Sequence, residues 1–435
     1  MFTNMSHHQD ADEVLELPKL EKARHVKYWT RCLKTLLPAP YTSNDSNRMY
    51  LAFFIISALD LLDSLTVMST DKERQEYIDW IYHCQHPNGG FRMWPGTDFG
   101  ERANEINAQW DPANVPATYF ALSTLLILGD DLRRLRRRET LVWIQKMQRP
   151  NGSFGETLVN GKIEGGEDPR FGYCATGVRY ILRGSKEGHL IIDGQDVQDI
   201  DFDAFVRCIV AAEAYDGGMA DQEFHEPHAG YTYCSLGALA FIGRLNFTVS
   251  SKESTKAPAD PEGVIRWLSA RQTDLMDPDG ALDTEFIAKA AKETSTKSST
   301  TAAVETSDTN YASNTSAPLP KTEIDCAGMC GRTNKVADTC YAFWVAASLH
   351  ILDQPLLYDR PALCNYLLDQ TQHPVLGGFG KFPGDLPDLY HSYLGLAALS
   401  LASGEGMKEL DAGMCLSVDA RARLSELWES WHVVS

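Results

Sequence analysis

The sequence predicts an all-α protein, an α/α toroid of about twelve helices arranged as six hairpins. Three observations predict it. Apolar segments of helical length alternate with amphipathic ones along the chain. The same glycine-rich punctuation recurs between them. Strand-like alternation of polar and apolar residues is scarce.

The apolar segments span residues 50–62, 118–128, 173–182, 231–241, 340–352 and 390–401. Each is hydrophobic nearly all round, the pattern of a helix buried on every side. The amphipathic segments fall at residues 74–84, 139–147, 202–212, 261–271, 361–371 and 420–431, and these need cover on one face only. Between them stand Asn88-Gly89-Gly90-Phe91, Asn151-Gly152-Ser153-Phe154, Asp216-Gly217-Gly218-Met219 and Gly377-Gly378-Phe379-Gly380. Each glycine cluster stops a helix and permits positive φ, and the aromatic residue or Met that follows is expected to plug the core. Two concentric rings satisfy both helix types, whereas an open solenoid would expose one flank of its inner helices. Residues 289–321 are rich in Ser, Thr, Ala and Lys without periodicity, which predicts a disordered insertion. The polar stretch 186–203 is expected to lie outside the core. The expected organisation is a polar tail over 1–19 and one toroidal domain over 20–435 that carries the insertion.

A net charge of −19 argues against a nucleic-acid partner, which needs a basic face. No apolar run reaches the roughly 18–20 residues of a membrane span. The N-terminus is polar and acidic, with neither a secretory nor a transit pattern, so a cytoplasmic protein is expected. Ten cysteines are scattered. Cys32, Cys174, Cys208 and Cys234 sit in apolar stretches as small hydrophobes. Cys326 and Cys330 have the spacing of a metal half-site, but no second pair stands at a suitable distance.

Chemistry concentrates in residues 331–341, where two cations, a carboxylate, a thiol and a phenol precede an apolar run. Arg332 and Lys335 suit a phosphorylated ligand. Asp338 and Cys340 are ligands that Zn²⁺ accepts together. Two residues apart, they would point about 200° from each other inside a helix, and converge only if Asp338 sits at the helix start. Asp338 as a plain N-cap, with Cys340 as buried filler, is the competing account. A third ligand must come from elsewhere. His391 opens another apolar segment, and neighbouring inner helices of a toroid start at one rim. His391 as a capped, solvated histidine is the alternative. His228 and Arg170 open two further apolar segments in the same way. The rim would thus gather Arg170, His228, Arg332, Lys335, Asp338, Cys340, Tyr341, Lys381 and His391, a local excess of cations that would make an anion site at helix N-termini. The alternative is cations that merely pair with nearby Asp. Aromatic residues of the inner helices, among them Tyr50, Phe53, Phe54, Tyr119, Tyr173, Tyr231, Tyr233, Phe343 and Trp344, are mostly core. Those that face a central cavity could hold an apolar ligand tail.

This constellation resembles the β subunit of the protein prenyltransferases, most closely that of the geranylgeranyl type I enzyme. The resemblance runs from Arg24-His25-Val26-Lys27-Tyr28-Trp29 to the last helix. Arg332, Lys335, Asp338, Cys340 and Tyr341 meet one family motif in full, and His228, Gly230, Thr232 and Cys234 meet another. Ala52-Phe53-Phe54 and Ile127-Leu128-Gly129-Asp130-Asp131-Leu132 also look like the type I enzyme.

The resemblance implies a catalytic β subunit that moves a geranylgeranyl group from its diphosphate to a substrate cysteine. That cysteine belongs to a C-terminal Cys-a-a-X sequence, X often Leu, of Rho-type small GTPases. It implies one Zn²⁺ on Asp338, Cys340 and His391, and a diphosphate held by His228, Arg332, Lys335 and Tyr341. Lys381 falls where the farnesyl enzyme has an aspartate that helps bind Mg²⁺, so Mg²⁺ is not expected to be required. Arg170, Tyr50, Phe54, Tyr173, Trp344 and Tyr390 would line the substrate pocket. An obligate helical-repeat α subunit is implied as partner. Departures exist: Tyr50 stands where the type I enzyme often has Thr and the farnesyl enzyme Trp. Tyr390 precedes the ligand histidine as in the farnesyl enzyme, and residues 114–116 also differ from the mammalian-type pattern. A farnesyltransferase β subunit and a non-catalytic toroidal binding module are the alternatives. A terpene cyclase shares the toroid, but the chain has no DxDD acid motif.

Overall fold

The structure, a computed structural model, describes residues 19–184, 187–247, 255–276, 325–404 and 406–433. The expected tail, apart from its last residue, and the expected insertion at 289–321 lie outside the described residues. Fourteen α-helices lie among the described residues. The six apolar segments form α2 (Arg48–Leu61), α5 (Val115–Leu128), α7 (Pro169–Arg183), α9 (Ala229–Phe241), α11 (Thr339–Ile351) and α13 (Leu389–Ala402). Each packs against the next, and α13 packs back on α2, so the inner ring is closed. Outside it stand α1 (Lys22–Lys34), α4 (Asp71–His83), α6 (Arg137–Lys146), α8 (Phe202–Ala211), α10 (Pro261–Ser269) and α12 (Arg360–Asn365). The last of these runs on as one π-helical turn over Tyr366–Thr371. The short α3 (Leu65–Met68) follows α2.

The glycine turns stitch the two rings together. After each turn the next residue is buried: Phe91, Phe154, Met219 and Phe379 all fill the core. Hydroxyls in the first turns of inner helices accept their backbone N–H groups: Thr118 from Phe91, Thr232 from Met219 and Ser392 from Phe379, each at 2.9 Å. Met329 in Gly328-Met329 is a fifth plug of the same kind, without the double glycine. Gly152 has φ +92°, and a Cβ there would lie 2.1 Å from the Ala204 carbonyl in α8. Gly377 has φ +73° and faces the Arg24 backbone of α1 at 2.5 Å. Each such glycine therefore lets its turn rest on the first turn of the next outer helix.

That contact places α1 sixth in the outer ring, where the sequence pattern had put residues 420–431. α1 buries His25, Tyr28, Trp29 and Cys32 on one face, and Lys34 reaches Glu73 of α4 at 2.8 Å. The last helix, α14 (Val418–Val433), instead crosses the far end of the ring against α5 and α7. An amphipathic pattern specifies one buried face but not what covers it. The stretch 186–203 also departs from expectation. Leu190–Ile192 pairs with Gln195–Val197, Val197 and Ile200 are buried, and Asp199 meets buried Arg179 at 2.6 Å. Asp193-Gly194, both at positive φ, is the hairpin signal that marks this turn.

The ring closes between α1 and the turn before α13. His25 is fully buried. Its Nδ1 accepts the Gly378 N–H at 3.1 Å and its Nε2 donates to Gln372 Oε1 at 2.9 Å. Burial lowers its pKa from 6.5 to about 4, with the Gln372 bond acting weakly the other way. The unfolded chain therefore binds a proton below pH 6.5 that the folded chain refuses. The stabilisation is complete above that pH and is lost as pH falls toward the folded value, by about 3 kcal/mol. Thermal melts are expected to show a lower midpoint at pH 5 than at pH 7.5. His25→Gln is expected to flatten that slope while lowering stability at pH 7.5; an unchanged slope would remove His25 as its cause.

Candidate functional site

Five of the six inner helices begin on a side-chain cap. Asn114, Asp168, His228, Asp338 and Asp388 each accept a backbone N–H from the first turn that follows. Their helix starts face one rim, where the partial positive charges of the helix ends accumulate.

Asp338 caps α11 by accepting the Cys340 N–H on Oδ1 at 2.8 Å. This resolves the geometric problem of the Asp-x-Cys spacing. Asp338 sits outside the helix and Cys340 inside its first turn, so both side chains turn to the same point. The start of α13 adds His391, whose Nε2 lies 3.4 Å from Asp338 Oδ1. The ligand atoms of Asp338, Cys340 and His391 all lie within 4.8 Å of one another. Burial works against the His391 imidazolium, but hydrogen bonds to Asp338 and Asp388, with their charges, raise its pKa to about 9. Burial likewise opposes charge on Asp338, but His391 and the hydrogen bonds from Cys340 together outweigh it and lower the carboxyl. Burial and the Asp338 charge push the Cys340 thiol well up. A carboxylate, a thiol and an imidazole within this reach form an S, N, O donor set that suits a borderline-soft cation such as Zn²⁺, with three protein ligands.

Asp388 is the residue that the sequence pattern did not single out. Its Oδ1 accepts the His391 N–H at 2.9 Å and its Oδ2 sits 2.6 Å from His391 Nδ1. It thereby turns Nε2 toward Asp338, the orienting role of an outer carboxylate. A carboxylate three residues before a histidine at a helix start carries that signal. Lys381 Nζ stands 3.9 Å from Asp338 Oδ2, and the Lys381 and Gly380 carbonyls accept bonds from Thr339.

Beside this cluster His228 Nε2 and the Tyr341 hydroxyl lie 3.0 Å apart. His228 Nδ1 accepts the Gly230 N–H at 3.0 Å, so the neutral ring carries its proton on Nε2 and donates it to Tyr341. Tyr341 keeps its own O–H to offer outward. Burial, then the charges of Arg332 and Arg170, lower the His228 pKa and favour that neutral form. Gly331 makes room for this ring: a Cβ there would meet Tyr341 Cζ at 2.2 Å. Arg332 reaches Glu226 at 3.0 Å, and Lys335 is exposed on the same segment. Arg170 is clamped by Asp168 at 2.7 Å and lies over the Tyr231 ring.

Inward from the rim a cavity of about 750 Å³ opens into the ring. Tyr50, Phe54, Arg170, Tyr173, Trp344 and Tyr390, the six residues expected to line a pocket, all line it. Tyr50 packs edge-on against Phe54 at 4.5 Å. Trp344 Nε1–H donates to the Tyr390 hydroxyl at 3.2 Å. Tyr390 packs edge-on against His391 at 5.0 Å, so the cavity wall touches the donor cluster. The donor cluster thus borders the aromatic cavity at Tyr390, and Arg170 carries the rim into the cavity lining. Arg170, Arg332 and Lys381 each lie against a carboxylate, of Asp168, Glu226 and Asp338 respectively. The arrangement can hold a metal, an anionic head and an apolar tail in that order.

The sequence pattern described as "Prenyltransferase alpha-alpha toroid domain" matches residues 20–416. The geranylgeranyl transferase type-1 subunit beta of Arabidopsis thaliana is 29% identical, over 90% of this chain and 87% of its own. The Dictyostelium discoideum protein of the same description is 27% identical over 94% of this chain and 98% of its own. Among solved structures, Candida albicans protein geranylgeranyltransferase-I complexed with GGPP superposes with a TM-score of 0.71 at 25% identity. That match covers 94% of this chain and 99% of the solved one.

Cobalt(II) titrated into metal-free protein is expected to give a thiolate-to-metal charge-transfer band. Cys340→Ala is expected to abolish the band, and Asp388→Ala to weaken cobalt binding by about 10–100-fold. A band of full intensity in Cys340→Ala would exclude this cluster as the metal site.

Proposed function

The chain belongs to the prenyltransferase alpha-alpha toroid family, and from that premise we propose that it is the catalytic β subunit of a zinc-dependent protein geranylgeranyltransferase type I. It would transfer geranylgeranyl from its diphosphate to the cysteine of C-terminal Cys-a-a-X sequences of small GTPases. The single observation that carries this reading is that the donor cluster borders the aromatic cavity at Tyr390, with Arg170 of the rim in the cavity lining. The full-length likeness to two type-1 β subunits and to a geranylgeranyltransferase-I structure supports it.

In this reading Asp338, Cys340 and His391 would hold Zn²⁺, and the chemistry the metal would supply is stabilisation of the acceptor cysteine's thiolate form. The isoprenoid lies in the cavity, with its diphosphate toward the rim. Tyr341 donates its free O–H to a diphosphate oxygen, while His228 fixes the phenol from behind. Arg332, Lys335 and Lys381 surround the charge that grows on the leaving diphosphate. The acceptor thiol would give its proton to solvent before the sulfur–carbon bond forms and the carbon–oxygen bond to the diphosphate breaks, so no protein base is assigned. Lys381 already places a cation at the position beside Asp338, so Mg²⁺ is dispensable. An α subunit completes the enzyme, as the resemblance implies. A cytoplasmic location belongs to the same reading and is supported by ten free cysteines.

One observation favours a second reading. Tyr50 is bulky, and it packs edge-on against Phe54 and Phe120 in the cavity wall, which suits the shorter farnesyl chain.

The test co-expresses the chain with an α subunit and offers farnesyl and geranylgeranyl diphosphate in competition. Peptides ending in Leu and in Ser are used, each with and without added Mg²⁺. Geranylgeranyl transfer to the Leu peptide is expected; Mg²⁺-dependent farnesyl transfer to the Ser peptide would support the second reading. Lys381→Ala is expected to lower turnover by about 100-fold, and Lys381→Asp to recover part of it only with Mg²⁺.

A further inference from the structure

Strands Leu410–Asp411 and Leu416–Ser417 pair as a hairpin whose tip, residues 412–415, enters the far end of the inner ring. Tyrosines from four inner helices hold consecutive carbonyls of that tip. Tyr233 donates to Ala412 at 2.9 Å, Tyr173 to Gly413 at 2.8 Å, Tyr119 to Met414 at 2.8 Å and Tyr393 to Cys415 at 2.5 Å. Ser417 adds a bond to Asp60 of α2. Each phenol thus satisfies a buried carbonyl in a loop that has few partners of its own.

The tip is a partition. On the rim side, Cys415 is its one residue that lines the aromatic cavity. On the other side Ala412, Gly413 and Met414 line a separate cavity of about 260 Å³, together with His350 and Arg421. The four residues of the tip therefore together border both spaces. Cys415 is buried and has φ +55°, a left-handed conformation that a side chain adopts at a cost. The four tyrosine bonds hold it there.

We propose that this tip is the end stop of the chain-binding cavity, and that the Cys415 side chain sets the longest isoprenoid the protein accepts. The proposal rests on the prenyl-donor reading above. Cys415 is a small residue in the cavity lining, and its Sγ lies 4.0 Å from the Tyr393 hydroxyl. Removing it opens the partition toward the second cavity, and enlarging it raises the floor. The stop acts along the cavity axis, whereas Tyr50 acts from the wall.

The test uses the holoenzyme with its α subunit and a peptide ending in Leu. Farnesyl, geranylgeranyl and geranylfarnesyl diphosphates compete for it in wild type and in Cys415→Gly, Cys415→Ala and Cys415→Met. The Gly and Ala variants are expected to raise kcat/KM for geranylfarnesyl relative to geranylgeranyl by about tenfold or more. The Met variant is expected to raise farnesyl relative to geranylgeranyl by a similar factor. Glycine suits the left-handed backbone and alanine only removes the sulfur, so these two decide the matter if the Met variant does not fold. Unchanged donor ratios in variants whose wild type transfers geranylgeranyl would overturn the end stop alone. A wild type that transfers no isoprenoid would overturn the functional reading itself.

Discussion

Closure of the inner ring is the constraint on which the rest depends. A helix that is apolar on every side needs a neighbour on each flank, a partner behind and something in front. Six such helices in a circle give each its two flanking neighbours, and the outer helices supply the cover behind. The front is the remaining side, and it faces the axis. There aromatic residues line a cavity of about 750 Å³ instead of filling the axis, so the space comes from the same closure that covers the helices' flanks.

The rim chemistry has the same origin. All the inner helices start at one end, so their unsatisfied N–H groups converge, and the residues that cap them converge too. The cap of α11 is an aspartate and that of α13 an aspartate whose neighbour three residues on is a histidine. Capping and ligation therefore use the same side chains. Asp338 satisfies a backbone donor and still presents a carboxylate to His391. The two accounts of Asp338 that the sequence left open, helix cap and metal ligand, are not exclusive in this geometry.

Much of this was legible in the sequence. Each of the six inner helices begins and ends within a few residues of its apolar segment, because burial on all sides leaves an unmistakable composition. The plugs after the glycines were legible for the same reason. The residues at the starts of the inner helices could be assembled because closure fixes which ends meet. Partnership between distant amphipathic segments was not legible. α1 and α14 have similar one-sided patterns, and only the packing decides that the first completes the outer ring and the second crosses its end. The hairpin tip was hidden as well. Its hold on the ring runs through backbone carbonyls of residues 412–415, which carry no mark in the side-chain sequence, and through tyrosines that also read as ordinary core. Asp388 escaped because its role is to orient another residue, which a list of candidate ligands does not contain.

The seam between α1 and the turn before α13 joins groups 353 residues apart. The helix α2 meets one flanking partner, α5, soon after it is made, but the other, α13, emerges only after the four inner helices that lie between them in the chain. Until then the growing chain is an open crescent with an apolar edge exposed to the surroundings. Contacts of such separation form late and slowly, because the loop they close is long. Folding of this architecture is therefore a race between the ribosome and aggregation, and a helix-rich protein, made mostly of local hydrogen bonds, inherits the timing problem of a protein built from distant strands.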